Sequence, residues 1–268
     1  MTETLPPPVV ISHPTDSIAI VTLNRPKARN ALSRHMMSAL EAAITTLSHE
    51  KNVSAIVLAA EGPVFCAGHD LKELTAHRSD ADGGKAFYAE TMRACSAMML
   101  SIVNCPKPVI ASVHAMATAA GCQLVATCDL AVADASAKFC TPGVNIGLFC
   151  STPMVALSRN VSRKKAMEML LLGDLISATD AENYGLVNRV VPDGEALDGA
   201  LAYATRIAEK SPLTVAYGKQ AFYSQLEKPL SDAYNYAADV MVQNMMATDA
   251  QEGISAFLEK RAPTWKGC

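Results

Sequence analysis

Apolar residues along this chain switch between strand-like runs and helical spacing, and the order of those switches predicts the fold. Ile18 to Leu23 mixes β-branched and apolar residues and runs into Asn24-Arg25-Pro26, the pattern of a strand ending in a turn. Ser33 can cap the helix that follows, whose Met36, Met37, Leu40, Ile44 and Leu47 share one face suited to packing on a sheet. Ser54 to Ala60 and Pro108 to Val113 are short continuous apolar runs, expected as strands covered on both sides. A long helix is expected from Gly84 to Val103, after a polar surface tract from His77 to Gly83 of the kind that can flank an active site.

The small-residue segment Ala115 to Gly121 precedes a helical pattern through Leu124 and Cys128 to Asp129, and Leu130 to Ala133 reads as strand. Helices are expected at Thr152 to Arg159 and Arg163 to Leu172. Ser177 and Asp180 form a capping pattern for another, which Gly185 is placed to end. From Gly194 onward the pattern is almost all helical, with Ser211-Pro212 as a cap followed by proline in the first turn. Strand-helix alternation followed by helices predicts an α/β core with a helical extension.

Composition narrows the partners. Hydrophobic residues make up 50% of the 268 and charged residues only 18%, which predicts burial between subunits. A net charge of -3 supplies no basic field for nucleic acid. The eight cysteines form no CxxC pair and no disulfide framework, so reduced thiols are expected; no metal-ligand cluster is visible. The opening Met1 to Pro8 lacks the basic residues and apolar run of a secretory signal, and later apolar stretches are interrupted short of the ~20 residues a membrane span needs. A cytoplasmic location is the resulting expectation.

Two turns can carry chemistry. Phe65-Cys66-Ala67-Gly68-His69-Asp70-Leu71 follows a strand and opens a short helix, where an exposed N–H can donate to an anionic oxygen. In Ala119-Ala120-Gly121-Cys122-Gln123 small residues let another molecule reach the backbone where a helix begins, as half of an oxyanion hole. Taken alone, the first segment reads foremost as a plain strand-to-helix connection and the second as tight packing of helix against strand.

Taken in order, these segments resemble the crotonase, or enoyl-CoA hydratase/isomerase, superfamily from about Ile18 to Lys260. Leu23 to Leu32, Phe65 to Leu71, Lys107 to Ala111, Gly121 to Asp129, Phe139 to Gly147, Ala181 to Val187 and Glu252 to Arg261 carry the likeness. The resemblance implies an α/β spiral of β-β-α units over 1–195 that binds acyl-CoA, and a C-terminal helical region over 196–268 that forms a homotrimer or a hexamer of two trimers. It implies that the N–H groups of His69 and Ala120 face the thioester oxygen. Coenzyme A, a substrate part rather than a tightly bound cofactor, would lie beside Lys27, Ala28 and Arg29, with adenine near Ala67, Asp70 and Leu71. Lys260 would reach a phosphate, on its own or a neighbouring subunit.

The family's hydratases hold water between two glutamates, and here those positions read Gln123 and Gly143. Gln does not take up a proton at ordinary pH and Gly has no side chain, so the usual acid/base pair is absent. Gln123, Asn145 and the imidazole of His69 are the polar groups left to orient substrate or water, and Glu73 is either a further carboxylate of the site or an exposed helix residue. His114, Cys140 and Cys150 are candidates for nucleophilic chemistry or plain structural residues, and Met92, Met98 and Met99 for an acyl pocket or core. The leading expectation is an acyl-CoA enzyme, nominally an enoyl-CoA hydratase (a lyase) or isomerase of fatty acid metabolism. A decarboxylase, a thioesterase and a non-catalytic acyl-CoA-binding or partner-stabilising protein remain alternatives.

Overall fold

A computed structural model describes residues 6–268, so the reading of the first five residues lies outside it. The chain begins with an antiparallel pair, β1 (Val9–Thr15) and β2 (Ile18–Leu23), followed by a 3-10 turn at Pro26–Ala28 and helix α1 (Arg34–His49). Ser33 caps α1 as its sequence predicts, its hydroxyl accepting from the N–H of Met36. The apolar face of α1 is buried at Met36, Met37, Leu40, Ile44 and Leu47.

Three repeats then follow one rule: one strand enters the large sheet, the next enters a small sheet, and helical structure leads back. β3 (Ala55–Ala60) and β4 (Val64–Cys66) precede α2 (Leu71–Ala76) and α3 (Lys85–Asn104). β5 (Val109–Val113) and β6 (Met116–Thr118) precede α4 (Ala120–Thr127). β7 (Leu130–Asp134) and β8 (Lys138–Cys140) precede a 3-10 turn at Pro142–Ile146, α5 (Pro153–Asn160) and α6 (Arg163–Leu172). Then come β9 (Ile176–Ser177), α7 (Ala178–Tyr184) and β10 (Arg189–Val191). The large sheet runs β1-β2-β3-β5-β7-β10 and the small one β4-β6-β8-β9. Stacking the repeats in parallel turns them into the expected spiral.

Both faces of the large sheet are covered, which is why its strands read as unbroken apolar runs. Ala19, Val21, Leu23, Ile56, Leu58, Val109 and Ala111 face the main core with α1, α3 and α4. The alternate residues Ile18, Ala55, Val57, Ile110 and Val132 pack on Ala196, Ala200 and Ala204 of α8 (Ala196–Ala208). Three more helices complete the chain: α9 (Pro212–Leu226), α10 (Leu230–Met245) and α11 (Thr248–Glu259). A buried ion pair seats α9 on the core. Lys219 Nζ lies 2.6 Å from Asp129 and donates to the carbonyls of Ile102 and Lys107, while Tyr223 donates to the same carboxylate at 3.0 Å.

The long helices and the strands β2, β3, β5 and β7 lie within a residue or two of their expected bounds, whereas β1, seven residues long, was not expected. The short strands β4, β6 and β8 did not show in the pattern, because three residues are too few to establish a period; β6 lies inside the segment read only as small residues. The tract from His77 folds into a 3-10 turn at His77–Ser79, with its imidazole stacked on Phe87 at 3.6 Å between ring centroids.

The closest approach between repeats is at Gly121, in the first turn of α4. A Cβ there would lie 2.8 Å from both the carbonyl carbon and the Cβ of Cys66, and nearer still to the carbonyl oxygen. Gly121→Ala is therefore expected to destabilise the protein by about 3 kcal/mol, the upper end of the usual overpacking cost. A urea unfolding midpoint equal to that of the unaltered protein would show that α4 moves away from β4 freely.

Candidate functional site

β4 ends with Phe65 and Cys66 buried in the core, and the turn after it bends at Gly68, whose φ of +83° favours glycine. His69 forms an isolated parallel bridge with Leu32. The N–H of Leu32 donates to Gly68 O at 2.8 Å, and the N–H of Asp70 to Leu32 O at 3.3 Å. In a parallel pairing of this kind the middle residue's own N–H points the other way. Among the described residues, the His69 N–H has no acceptor.

The second turn mirrors the first. Thr118 Oγ1 donates to Ala67 O at 3.0 Å, and Ala119 N–H to Cys140 O at 2.9 Å, so the turn is pinned on both sides. Ala119 sits at φ +50°, ψ −119°, a conformation that disfavours a side chain. Ala120 is the first residue of α4, where an N–H has no partner within the helix, and it has none elsewhere among the described residues. A Cβ on Gly68 would lie 3.0 Å from Ala119 Cβ and 3.2 Å from Ala120 N. The two turns are thus in contact, with an unpaired N–H on each.

The polar side chains here are buried and neutral. Gln123, one turn into α4, is 5% exposed and its Oε1 has no hydrogen-bond partner. Both ring nitrogens of His69 are likewise buried and without a well-formed hydrogen bond; burial lowers its pKa, outweighing the nearby Leu32 backbone that raises it, and favours the uncharged imidazole near neutral pH. Burial pushes the Cys140 thiol up to about 11 and raises those of Cys122 and Cys150, which removes the thiolate a nucleophile needs.

The cationic turn joins this pair directly. Ala67 N–H donates to Arg29 O at 3.0 Å, setting Lys27, Ala28 and Arg29 beside the Gly68 turn. Lys27 and Arg29 are exposed, and Leu71 is 51% exposed. Asp70 is committed elsewhere: its carboxylate caps α2 by accepting from Lys72 and Glu73 N–H, and receives Arg25 at 3.3 Å. Arg25 also donates to Ser33 Oγ and Ala31 O. Buried Asn30 ties the loop to the start of the first repeat through Glu61 O and Val64 O. The sequence reading assigned no role to Arg25 or Asn30, although both lie in the Leu23 to Leu32 segment that carries the family likeness.

Other candidates are not gathered here. Glu73 accepts from the N–H of Arg34 at 3.0 Å and so ties α2 to the start of α1. Gly143 is buried, and a Cβ there would lie 2.8 Å from Leu148 O and 2.9 Å from Cys150 Sγ, leaving no room for a side chain. Asn145 is exposed, with Nδ2 turned toward Gly173 at the end of α6. His114 Nε2 lies 2.7 Å from Gly62 O. Met98 and Met99 are core residues; Met92 stays partly exposed. Lys260 ends α11, which packs on α9 and α10 rather than on the cationic turn. Among the described residues there is no cluster of His, Cys, Asp and Glu suited to a metal ion, and no helix long and apolar enough to cross a membrane.

This architecture recurs in known proteins. The family model for enoyl-CoA hydratase/isomerase matches residues 14–268. The human mitochondrial enoyl-CoA hydratase domain-containing protein 3 is 48% identical over 250 residues, 93% of this chain and 81% of its own. The rat protein of that name is 46% identical over 259 residues, covering 97% of this chain and 85% of its own. A crystal structure of an enoyl-CoA hydratase from Mycobacterium smegmatis superposes with a TM-score of 0.92 at 50% identity, over 97% of this chain and 99% of its own. The cytoplasmic expectation is overturned by the human and rat relatives, both named as mitochondrial. It rested on the lack of a secretory apolar run, which mitochondrial targeting does not use.

The strain at Ala119 is measurable. Relief of a backbone conformation costing about 1–3 kcal/mol exceeds the ~0.5–1 kcal/mol entropy cost of glycine. Ala119→Gly is expected to raise the unfolding free energy by about 1 kcal/mol in urea titrations. A lower value would mean that the Ala119 methyl contributes more by packing on Gly68 than its backbone loses.

Proposed function

The chain belongs to the enoyl-CoA hydratase/isomerase family, and on that premise we propose that it binds acyl-coenzyme A thioesters and stabilises the enolate of the acyl group. The observation that carries this reading is the pair of unpaired N–H groups, His69 and Ala120, on two turns in contact. Negative charge grows on a thioester oxygen as its α-carbon loses a proton or its β-carbon is attacked, and each well-aimed donor lowers that barrier by ~3 kcal/mol. Lys27 and Arg29 carry the charge that suits the phosphates of coenzyme A. Ala67, Asp70 and Leu71 form the surface assigned to adenine, Asp70 through its backbone because its carboxylate is already engaged.

The reaction class nearest to this site is hydration or isomerisation of an enoyl thioester, a lyase- or isomerase-type activity. Gln123 stands where the family's hydratases carry a carboxylate. Position 143 has no space for one, so the second carboxylate is not restored by a simple substitution there.

We further propose that residues 196–268 form the oligomerisation region of a homotrimer, alone or paired as a hexamer. Supporting this, Leu230, Met246, Phe257 and Leu258 are 73–82% exposed in the single chain, too much large apolar surface to leave in water. Lys260 would then act on the coenzyme A of a neighbouring subunit.

Two measurements test these readings. With butyryl-CoA in D2O, the protein is expected to bind the thioester by calorimetry and to exchange its α-hydrogens, read by mass spectrometry; binding without exchange favours the non-catalytic alternative, and no binding removes the reading. Light scattering is expected to give the mass of three or six 28.4 kDa chains, falling when Phe257 is replaced by Asp. A monomer at micromolar concentration would contradict the assembly.

A further inference from the structure

Among the described residues, three buried side-chain polar atoms lack a hydrogen-bond partner: Nδ1 and Nε2 of His69, and Oε1 of Gln123. They belong to two residues, one on each of the turns that Gly68 and Ala120 bring into contact. A buried polar atom left unpaired costs about 1–3 kcal/mol, so groups left unpaired on two turns in contact point to a bound molecule that completes them. Gln123 Oε1 needs a donor. A neutral imidazole needs one donor and one acceptor. The Leu32 backbone lies beside the imidazole and can take its N–H, so the other ring nitrogen and Gln123 Oε1 each need a donor; one water supplies both, and a carboxylate supplies neither.

The titratable groups on the surrounding elements are already committed. Asp70 is held by Arg25 and by the first turn of α2, and Glu73 by the start of α1. Arg34 pairs with Glu90. Burial pushes the thiol of Cys66 up to about 12 and that of Cys122 higher. Gln123 does not titrate. His69 is the remaining group on these turns that changes protonation near neutral pH.

We propose that the His69 imidazole carries the proton in this site, in place of the missing carboxylates, while Gln123 Oε1 holds the attacking water or the substrate's β-hydroxyl. This rests on the acyl-CoA reading above and names the proton carrier within it. Water donates one hydrogen to Gln123 Oε1 and faces His69 with the other. As its oxygen bonds to the β-carbon of a trans-2-enoyl thioester, the π pair moves into the enolate held by the two N–H groups, and the water proton passes to the imidazole. The imidazolium returns that proton to the α-carbon. One water is added and no other reactant is consumed; the reverse sequence dehydrates a 3-hydroxyacyl thioester.

The experiment follows hydration of a short trans-2-enoyl-CoA from pH 5 to 9 on the assembled protein, beside calorimetric binding of butyryl-CoA. The unaltered protein is expected to show kcat/KM falling on the acid side, below the ordinary histidine value of 6.5, as the imidazole gains its proton. His69→Gln keeps the backbone donor and is expected to bind butyryl-CoA within about threefold of normal while kcat drops about 100- to 10,000-fold and the acid limb disappears. In His69→Ala, imidazole added to the buffer is expected to restore part of the rate, which a merely structural histidine would not allow. Hydration by His69→Gln within about threefold of normal overturns the proposal, as does binding by the unaltered protein with no hydration at all; both leave the acyl-CoA reading standing. Failure of the unaltered protein to bind butyryl-CoA overturns that reading and this proposal with it.

Discussion

The seating of α4 on β4 through Gly121 is the constraint from which the rest of the site follows. With hydrogen in place of a side chain at 121, the first turn of the helix reaches the Cys66 carbonyl, and a methyl group would push it off. That contact fixes how far the Ala120 N–H stands from the turn that carries His69. Two hydrogen bonds lock the relation from either side, Thr118 to Ala67 O and Ala119 to Cys140 O. The unfavourable backbone at Ala119 is a consequence: the chain must leave β6 and enter α4 within one residue, and the packing around it over-determines the conformation.

Charge is distributed around this contact with a clear division. Arg25 and Asp70 neutralise each other while bracing the loop before α1 against the start of α2. Lys27 and Arg29 are exposed beside them. Inside, between the two turns, His69 and Gln123 are uncharged. Cations outside and neutral dipoles inside suit the proposed anionic carrier, with no fixed negative charge beside the atom that would become anionic.

Much of this was legible in the sequence, for identifiable reasons. Helix α1, its Ser33 cap and the doubly covered strands show through periodicity, which needs several residues in a row. Gly68 and Gly121 mark the two turns because glycine reports on backbone geometry that no other residue accepts as easily. What escaped was of two kinds. Strands of three residues have no period, so the small sheet was invisible, and the edge strand β1, exposed along most of its length, carries no apolar pattern to mark it. Partners far apart in sequence carry no local signal: Glu73 bonds the start of α1, and Lys219 reaches Asp129 across 90 residues. The reading of Gly143 was incomplete for a related reason. The sequence shows a missing glutamate; the fold adds that Leu148 and Cys150 close the space where one would stand.

That closure bears on what the substitutions mean for the proposed chemistry. Two unit charges about 6 Å apart repel by about 3 kcal/mol at an effective dielectric constant of ~20. A carboxylate near an oxyanion hole therefore opposes the enolate that the hole favours. Here the opposing charge is absent at both positions, by an amide at 123 and by a filled space at 143. In the proposed reaction the two N–H donors act on the enolate without that repulsion, and proton transfer falls to a neutral base, the His69 imidazole, in place of a charged one. The proposed chemistry thus rests on the two donors, the exposed cations and the strained turn beside them, and not on a pair of acids.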